Sequence, residues 1–494
     1  MDGEEFTITT PTQGNVSFRL TDTLLLVKHS DSKCKEIPHR QVIKAAFDTA
    51  SGSLEVAYLT KKTKKKYMSL TSIHGQVQDE KRGRAGEWAE SVMQSVYEDA
   101  GVKRARRLKV LVNPHGGTKQ AVALFIKIVE PILRTAGCHC DVIHTTHQGH
   151  AYEIAKDLTL DYDAIITVSG DGLIHEVMNG IAQHADPIRA FSIPIAPIPT
   201  GSGNGLSLNL LGITDGLDVA VAALNVIKGR PMKVDLFSFT QNGKRTVSFM
   251  SQALGLMADL DVGTEHLRWM GDVRFMVGLI RGIIQFKPCP VQLSFKVAEN
   301  DKAKMAASLR TRQMGDDDGN LASPVSFMSE ESVSDALPPL KYLHEDEDGW
   351  TTFDEPLLYV YAGKGPYVGR DFMAFPVSWP NDGLIDVMAM PVSSRKDILT
   401  GMAGAHKGES FWHPRLHYVK AHAYRVKPLK STGYLAVDGE IFPFEEFQVE
   451  VHQGLGTFLS PYGRYAVDFT SRNPLETAKS DVMKTEYKGK HYRH

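Results

Sequence analysis

Three short glycine-rich stretches stand out for the chemistry their spacing allows. They are Asn113-Pro114-His115-Gly116-Gly117, Ser169-Gly170-Asp171-Gly172 and Thr200-Gly201-Ser202-Gly203-Asn204. Each sits between an apolar strand and a following helix, where unpaired backbone N–H groups at the helix start can meet a phosphate and glycine lets the backbone come close. One such turn carries little weight, but three within one domain point to phosphate binding. Asp171, flanked by Gly170 and Gly172, faces whatever those loops cradle. Phosphoryl transfer to an alcohol needs an acceptor for the hydroxyl proton, and a carboxylate in that place can serve. Capping of the next helix is the structural alternative for Asp171, but it leaves the paired glycines unexplained. The chain has no G-x-x-x-x-G-K-[ST] loop, and its first strand–helix junction has no G-x-G-x-x-G.

The elements that must position these loops are legible from periodicity. Val110-Leu111-Val112 and Ala164 to Val168 read as buried strands, and Asp141 to His144 as another. Ala121, Leu124, Phe125, Ile128, Ile132 and Leu133 recur at helical spacing up to Gly137, with Pro131 expected to bend that helix. Leu173, Val177, Met178 and Ile181 mark a helix directly after Asp171. Alternation of strands and helices over residues 104–232 predicts a parallel α/β sheet with ligands at the carboxyl ends of its strands. Residues 233–470 read as mainly β, with strands expected at 246–253, 291–297, 357–362, 384–390 and 449–453. A polar, acidic interruption at 298–350 is expected to be a disordered insert, and 471–494 a polar tail. Residues 1–100 read as a small β-rich module closed by a helix carrying Trp88, Val92, Met93 and Val96. It resembles a pleckstrin-homology module. Two basic runs, Lys61 to Lys66 and Lys103 to Arg107, read as a solvated or lipid-facing hairpin tip and an interdomain linker.

Composition bounds the rest. The 494-residue chain is 42% hydrophobic with a formal net charge of −2, which gives no global pull toward nucleic acid. Four scattered cysteines suit a reducing compartment rather than a disulfide framework or a zinc site. No apolar run approaches spanning length, and the acidic N-terminus is no secretory signal, so a cytoplasmic protein is expected.

The order N-P-x-G-G, S-G-D-G, G-S-G-N and, at Asp438-Gly439-Glu440, D-G-E resembles the diacylglycerol kinase catalytic fold shared by sphingosine, ceramide and diacylglycerol kinases. Asn381-Asp382-Gly383-Leu384-Ile385-Asp386 adds a fifth motif, and the resemblance covers about residues 108–465. It implies an α/β nucleotide-binding lobe packed on a larger β-sandwich lobe, with ATP in the cleft between them. Ser251 to Asp261 is similar to sphingosine kinases in particular. That likeness implies phosphorylation of the primary hydroxyl of a sphingoid base, with Asp171 as general base. By the same resemblance Asp261 would hold the lipid's amino and secondary hydroxyl groups, and Ser251 would orient its primary hydroxyl. Arg268 and Arg274 would contact phosphates, and Asn113, Gly117, Thr145, Ser169, Gly172, Ser202, Gly439 and Glu440 match nucleotide-contacting positions. Mg²⁺ is expected with ATP and without a preformed cage, reached by Asp171, Asp438 or Glu440. The family often carries a basic residue within or just after the first loop, and by that resemblance His115, Lys119 or neither would touch phosphate. The segment Met276 to Phe286 resembles the part of sphingosine kinases that wraps the lipid chain and opens toward a membrane, which implies transient peripheral attachment; a core helix is the plain alternative. A ceramide or diacylglycerol kinase, or a lipid-binding adaptor without catalysis, are the competing readings.

Overall fold

A computed structural model describes residues 5–470 except 12–13, 31–32, 63–64, 118, 264–272, 318–335, 343–347 and 468. The chain opens with seven antiparallel strands: β1 (Glu5–Thr10), β2 (Gly14–Leu20), β3 (Leu24–His29), β4 (Lys35–Pro38), β5 (Val42–Asp48), β6 (Ser53–Thr60) and β7 (Ser69–Val77). Their order is β4-β3-β2-β1-β7-β6-β5. Alternating residues such as Phe6, Ile8, Val16 and Phe18 are buried on one face. The helix Arg82–Met93 covers them, and its Trp88 stacks on Phe6 at 5.0 Å.

Four parallel strands follow, β8 (Arg107–Val112), β9 (His139–His144), β10 (Ala164–Ser169) and β11 (Ile195–Pro199), in the order β9-β8-β10-β11. Every residue of β10 is buried, and its mostly apolar sequence is typical of a sheet covered on both faces. The helix expected to bend at Pro131 is divided: a turn of π-helix, Phe125–Val129, separates Ala121–Leu124 from Glu130–Thr135. Proline has no N–H for the preceding turn, and the wider π turn takes up the mismatch.

The remaining strands are β12 (Arg230–Gln241), β13 (Lys244–Ser248), β14 (Ser251–Gly255), β15 (Val291–Glu299), β16 (Thr351–Phe353) and β17 (Leu357–Gly363). After them come β18 (Tyr367–Gly369), β19 (Phe372–Met373), β20 (Ile385–Pro391), β21 (His417–Pro428), β22 (Leu435–Val437), β23 (Glu440–Phe442) and β24 (Phe447–Ser460). One continuous path runs β23-β22-β14-β17-β20-β21-β24-β11-β10-β8-β9. Strand β24 is the seam, antiparallel to β12 and β21 and paired in parallel with β11 at Ile195 and Phe458. The expected step between lobes at residue 232 therefore falls inside β12.

The expectation of disorder across 298–350 needs correction. Lys302–Asp317 is a helix, with Met305, Ala306 and Leu309 buried on one side. Its Ala-rich, β-branch-poor sequence favours helix, and one apolar stripe suffices to dock it. Residues 318–335, like the tail 471–494, lie outside the described residues. Among the described residues no single helix is long and apolar enough to cross a membrane.

Candidate active site

The three glycine loops touch one another backbone to backbone at the carboxyl ends of β8, β10 and β11. A β-carbon on Gly201 would lie 2.2 Å from Gly170 Cα, and one on Gly170 would lie 2.5 Å from the Gly203 carbonyl. Gly117 has φ +55°, and a β-carbon there would meet the Thr200 carbonyl at 2.7 Å. Only glycine permits that spacing. Asn113 ties the first loop together: its Oδ1 accepts the N–H groups of His115 and Gly116, and its Nδ2 donates to Ser169 Oγ at 3.3 Å.

Asp171 is the first residue of the helix Asp171–Ile181 and is buried. Its Oδ2 accepts the Gly205 N–H at 2.6 Å and its Oδ1 the Leu206 N–H at 3.2 Å, both from the start of the helix Gly205–Asp215. The helix-capping alternative thus has a counterpart in fact, but the helix that receives Asp171 is a neighbour's. Burial pushes the carboxyl up to about 6, against those two N–H donors and with the charge of Asp438 adding to the rise. The group is therefore largely ionised at neutral pH and more basic than an ordinary carboxylate.

Asp438 and Gly439 form the two-residue turn between β22 and β23, with φ +51° and +85°. An Asp-Gly pair suits such a hairpin, whose twist needs left-handed backbone at both positions. The turn brings Glu440 against the second glycine loop, since a β-carbon on Gly172 would sit 3.1 Å from Glu440 Oε1. Asp438 itself turns inward. Its Oδ1 accepts from Ser248 Oγ and the N–H groups of Met250 and Ser251, and its Oδ2 from the Phe249 N–H and His175 Nδ1. Both Asp438 oxygens are thus filled by protein donors, although the residue also borders the cleft. Burial works against a charged His175 ring, yet the Asp438 hydrogen bond and charge, with Glu440 and Glu176 nearby, carry its pKa above the ordinary histidine value.

These groups border one cleft of about 830 Å³. Asn113, Gly117, Thr145, Ser169, Asp171, Gly172, Ser202, Ser251, Gly439 and Glu440 all line it. Of the two first-loop cations, His115 borders it as well. The lining also carries an apolar set, Met250, Ala253, Met257, Leu260, Tyr361, Phe372 and Met402. A cleft with both polar and apolar walls fits an amphiphile. Arg268 lies outside the described residues, as do the side chains of Asp261 and Arg274. Sequence reasoning missed His147, Gln148, Glu176 and Arg370, which also line the cleft. His147 and Gln148 come three and four residues after the end of β9, a signal that was available; Arg370 sits on a turn of the second lobe and had none. Among the described residues no group of three metal-capable side chains converges.

The fifth motif does structural work at a distance from phosphate. Lys364 is fully buried and its Nζ donates to Asp235, Asp382 and the Leu384 carbonyl. Lys420 bridges Asp382 and Asp386, and Tyr418 donates to Asp386 at 2.8 Å. The basic linker is likewise occupied: Lys103 pairs with Asp163, Arg104 with Glu90 and Glu98, and Arg107 with Asp161, while Arg106 donates to the Val226 and Gly229 carbonyls.

Residues 107–239 match the family model of the diacylglycerol kinase catalytic domain. The chain is 36% identical over 367 residues to sphingoid long chain base kinase 4 of Schizosaccharomyces pombe, covering 73% of this chain and 76% of that one. It is 31% identical over 440 residues to sphingoid long chain base kinase 5 of Saccharomyces cerevisiae, covering 77% of this chain and 63% of that one. Among solved structures, a diacylglycerol kinase from Bacillus anthracis aligns at a TM-score of 0.49 with 20% identity, over 72% of this chain and 98% of that one.

Proposed function

This chain belongs to the sphingoid long-chain base kinases, and from that premise we propose that it transfers the terminal phosphate of ATP to the primary hydroxyl of a sphingoid base. The observation that carries the reading is the position of Asp171, a buried carboxylate in the cleft that the phosphate-binding loops and the apolar set line together. Asp171 takes the hydroxyl proton as the lipid oxygen bonds to the γ-phosphorus and the bond to ADP breaks. Two N–H donors fix the carboxylate and leave each oxygen a free lone pair for that proton. Ser251, whose backbone is held by Asp438, orients the hydroxyl.

Asp261 pairs with the lipid's ammonium. In support, its helix Leu256–Val262 also supplies Met257 and Leu260 to the cleft wall. A carboxylate there gives charge-assisted recognition that a neutral lipid does not return. Arg268 and Arg274 offset charge on the transferring phosphoryl oxygens. Mg²⁺ comes with ATP and shields its phosphate charge, and Glu440 is the cleft carboxylate to hold it directly or through water.

The 233–470 region is a β-sandwich lobe, and residues 1–100 a pleckstrin-homology-like module. Seven antiparallel strands closed by a Trp-bearing helix favour the latter. The protein works in the cytoplasm and visits membranes transiently. In favour of this, the helix Val273–Gln285 leaves Val277, Ile280 and Ile284 exposed, at spacings of three and four. That exposure also disfavours the plain core-helix reading.

The test is phosphate transfer from labelled ATP to sphingosine, phytosphingosine, ceramide and diacylglycerol in parallel micelles. Product from the two amine-bearing bases alone is expected. Product from a neutral lipid would overturn the substrate, and no product at all would return the protein to the adaptor reading, which the saturated basic linker disfavours.

A further inference from the structure

The helix that begins with Asp171 is fastened to the second lobe at its next two turns. His175, one turn on, gives its Nδ1 to Asp438 Oδ2 at 2.9 Å. Asn179, a further turn on, accepts the Val247 N–H and donates to the Val247 carbonyl, at 2.8 and 2.9 Å. Asp438 in turn grips Ser251 by both backbone groups, accepting its N–H at 2.9 Å and donating to its carbonyl at 2.7 Å. A short unbroken chain of hydrogen bonds therefore runs from the helix of the general base to the residue assigned to the lipid hydroxyl.

We propose that His175 and Asp438 are a positioning pair that sets the spacing between Asp171 and Ser251 across the two lobes. The pair rests on the kinase reading above for its consequence, though its geometry stands apart from it. Asn179 holds the end of β13, four residues before Ser251, and its Nδ2 also lies 3.3 Å from His175 Nε2, so it reaches the Asp438 turn only through the His175 ring. His175 supplies the second point and removes rotation about the first. Transfer in line demands reacting atoms about 3–3.5 Å apart, so a small shift of Ser251 against Asp171 slows chemistry while leaving the ATP loops whole. His175 touches no substrate itself. Its ring acts through Asp438.

Two variants separate positioning from packing. His175→Leu fills the space without donating, whereas His175→Asn retains an N–H close to the place of Nδ1. With Mg-ATP and sphingosine in mixed micelles, His175→Leu should lower kcat about tenfold or more with KM for ATP within about twofold, and His175→Asn should recover most of the loss. By hydrogen exchange, the Phe249, Met250 and Ser251 amides should open about tenfold faster in the leucine variant and not in the asparagine one. Normal kcat in His175→Leu, equal impairment in both variants, a KM for ATP rising in step with the loss, or unchanged exchange would each overturn the pair. Wild-type protein that leaves sphingosine unphosphorylated would overturn the kinase reading, and the exchange data would still decide the pair.

Discussion

At the scale of single residues, Asp171 carries the sharpest expectations. Replacing it with asparagine keeps an oxygen for one N–H donor but removes the proton acceptor, so kcat should fall about 10²- to 10⁴-fold while ATP still binds. The sign of the pH dependence follows from burial, which lifts the carboxyl to about 6. With Asp171 in the proposed role the ionised form is the base, so kcat/KM should be level above pH 7 and fall as pH drops through about 6, and a pH profile without that limb would remove Asp171 from the role. Asp261→Asn should lower kcat/KM for sphingosine about 10- to 100-fold, the worth of a charge-assisted hydrogen bond, and leave any trace activity on ceramide unchanged. Asp171 was legible in the sequence because two glycines isolate it. His175 was not, since a histidine four residues along an amphipathic helix looks like any polar interior position, and its partner Asp438 lies 263 residues away.

At the scale of elements, the loops owe their glycines to one another more than to any ligand. Gly201 and Gly170 pass at a distance no side chain survives. Gly201→Ala must push the second and third loops apart, an overpacking strain of about 1–3 kcal/mol. Phosphate-facing N–H groups would move with them, so KM for ATP should rise about tenfold with the fold intact, as read by kinetics and a melting curve side by side. A variant with unchanged KM would mean the loops yield without touching the nucleotide. The strand–glycine–helix rhythm was readable because backbone requirements write themselves into residue type, whereas Asp438-Gly439 was read as a motif and not as the turn of β22–β23. The helix Lys302–Asp317 was not readable, because its apolar stripe is only Met305, Ala306 and Leu309 and an acidic tract follows it. Nothing local predicts that β24 will join β11.

At the scale of the whole molecule, the seam between β24 and β11 joins the two strand sets in one sheet, and a buried ion cluster ties together strands of the second. The cluster ties β12, the end of β17, β20 and β21 through residues up to 185 positions apart, Asp235 to Lys420, so sequence showed its Asn-Asp-Gly motif and hid its cations. Burial works against the charge of Asp382, but Lys364 and Lys420 hold it well below the ordinary carboxylate range. Burial likewise opposes the Lys364 ammonium, and Asp382, Asp235 and Asp386 keep its pKa well above that of a free lysine. The Asp382 contribution is present above about pH 4 and lost only toward acid, and that of Lys364 is present below about pH 10 and lost only toward base. Asp235 runs the other way. Burial raises it despite Lys364, so a protonated Asp235 favours the folded state as pH falls. Lys364→Met removes one cation from a buried set and should lower stability by about 3–5 kcal/mol at pH 7. Without the ammonium, Asp235 must rise further, and protonating it relieves part of the loss. Denaturant midpoints should therefore show a wide gap between variant and wild type at pH 7 and a narrower one at pH 5. An equal gap at both values would mean that the lysine acts there as volume alone, and that charge is not what binds these strands.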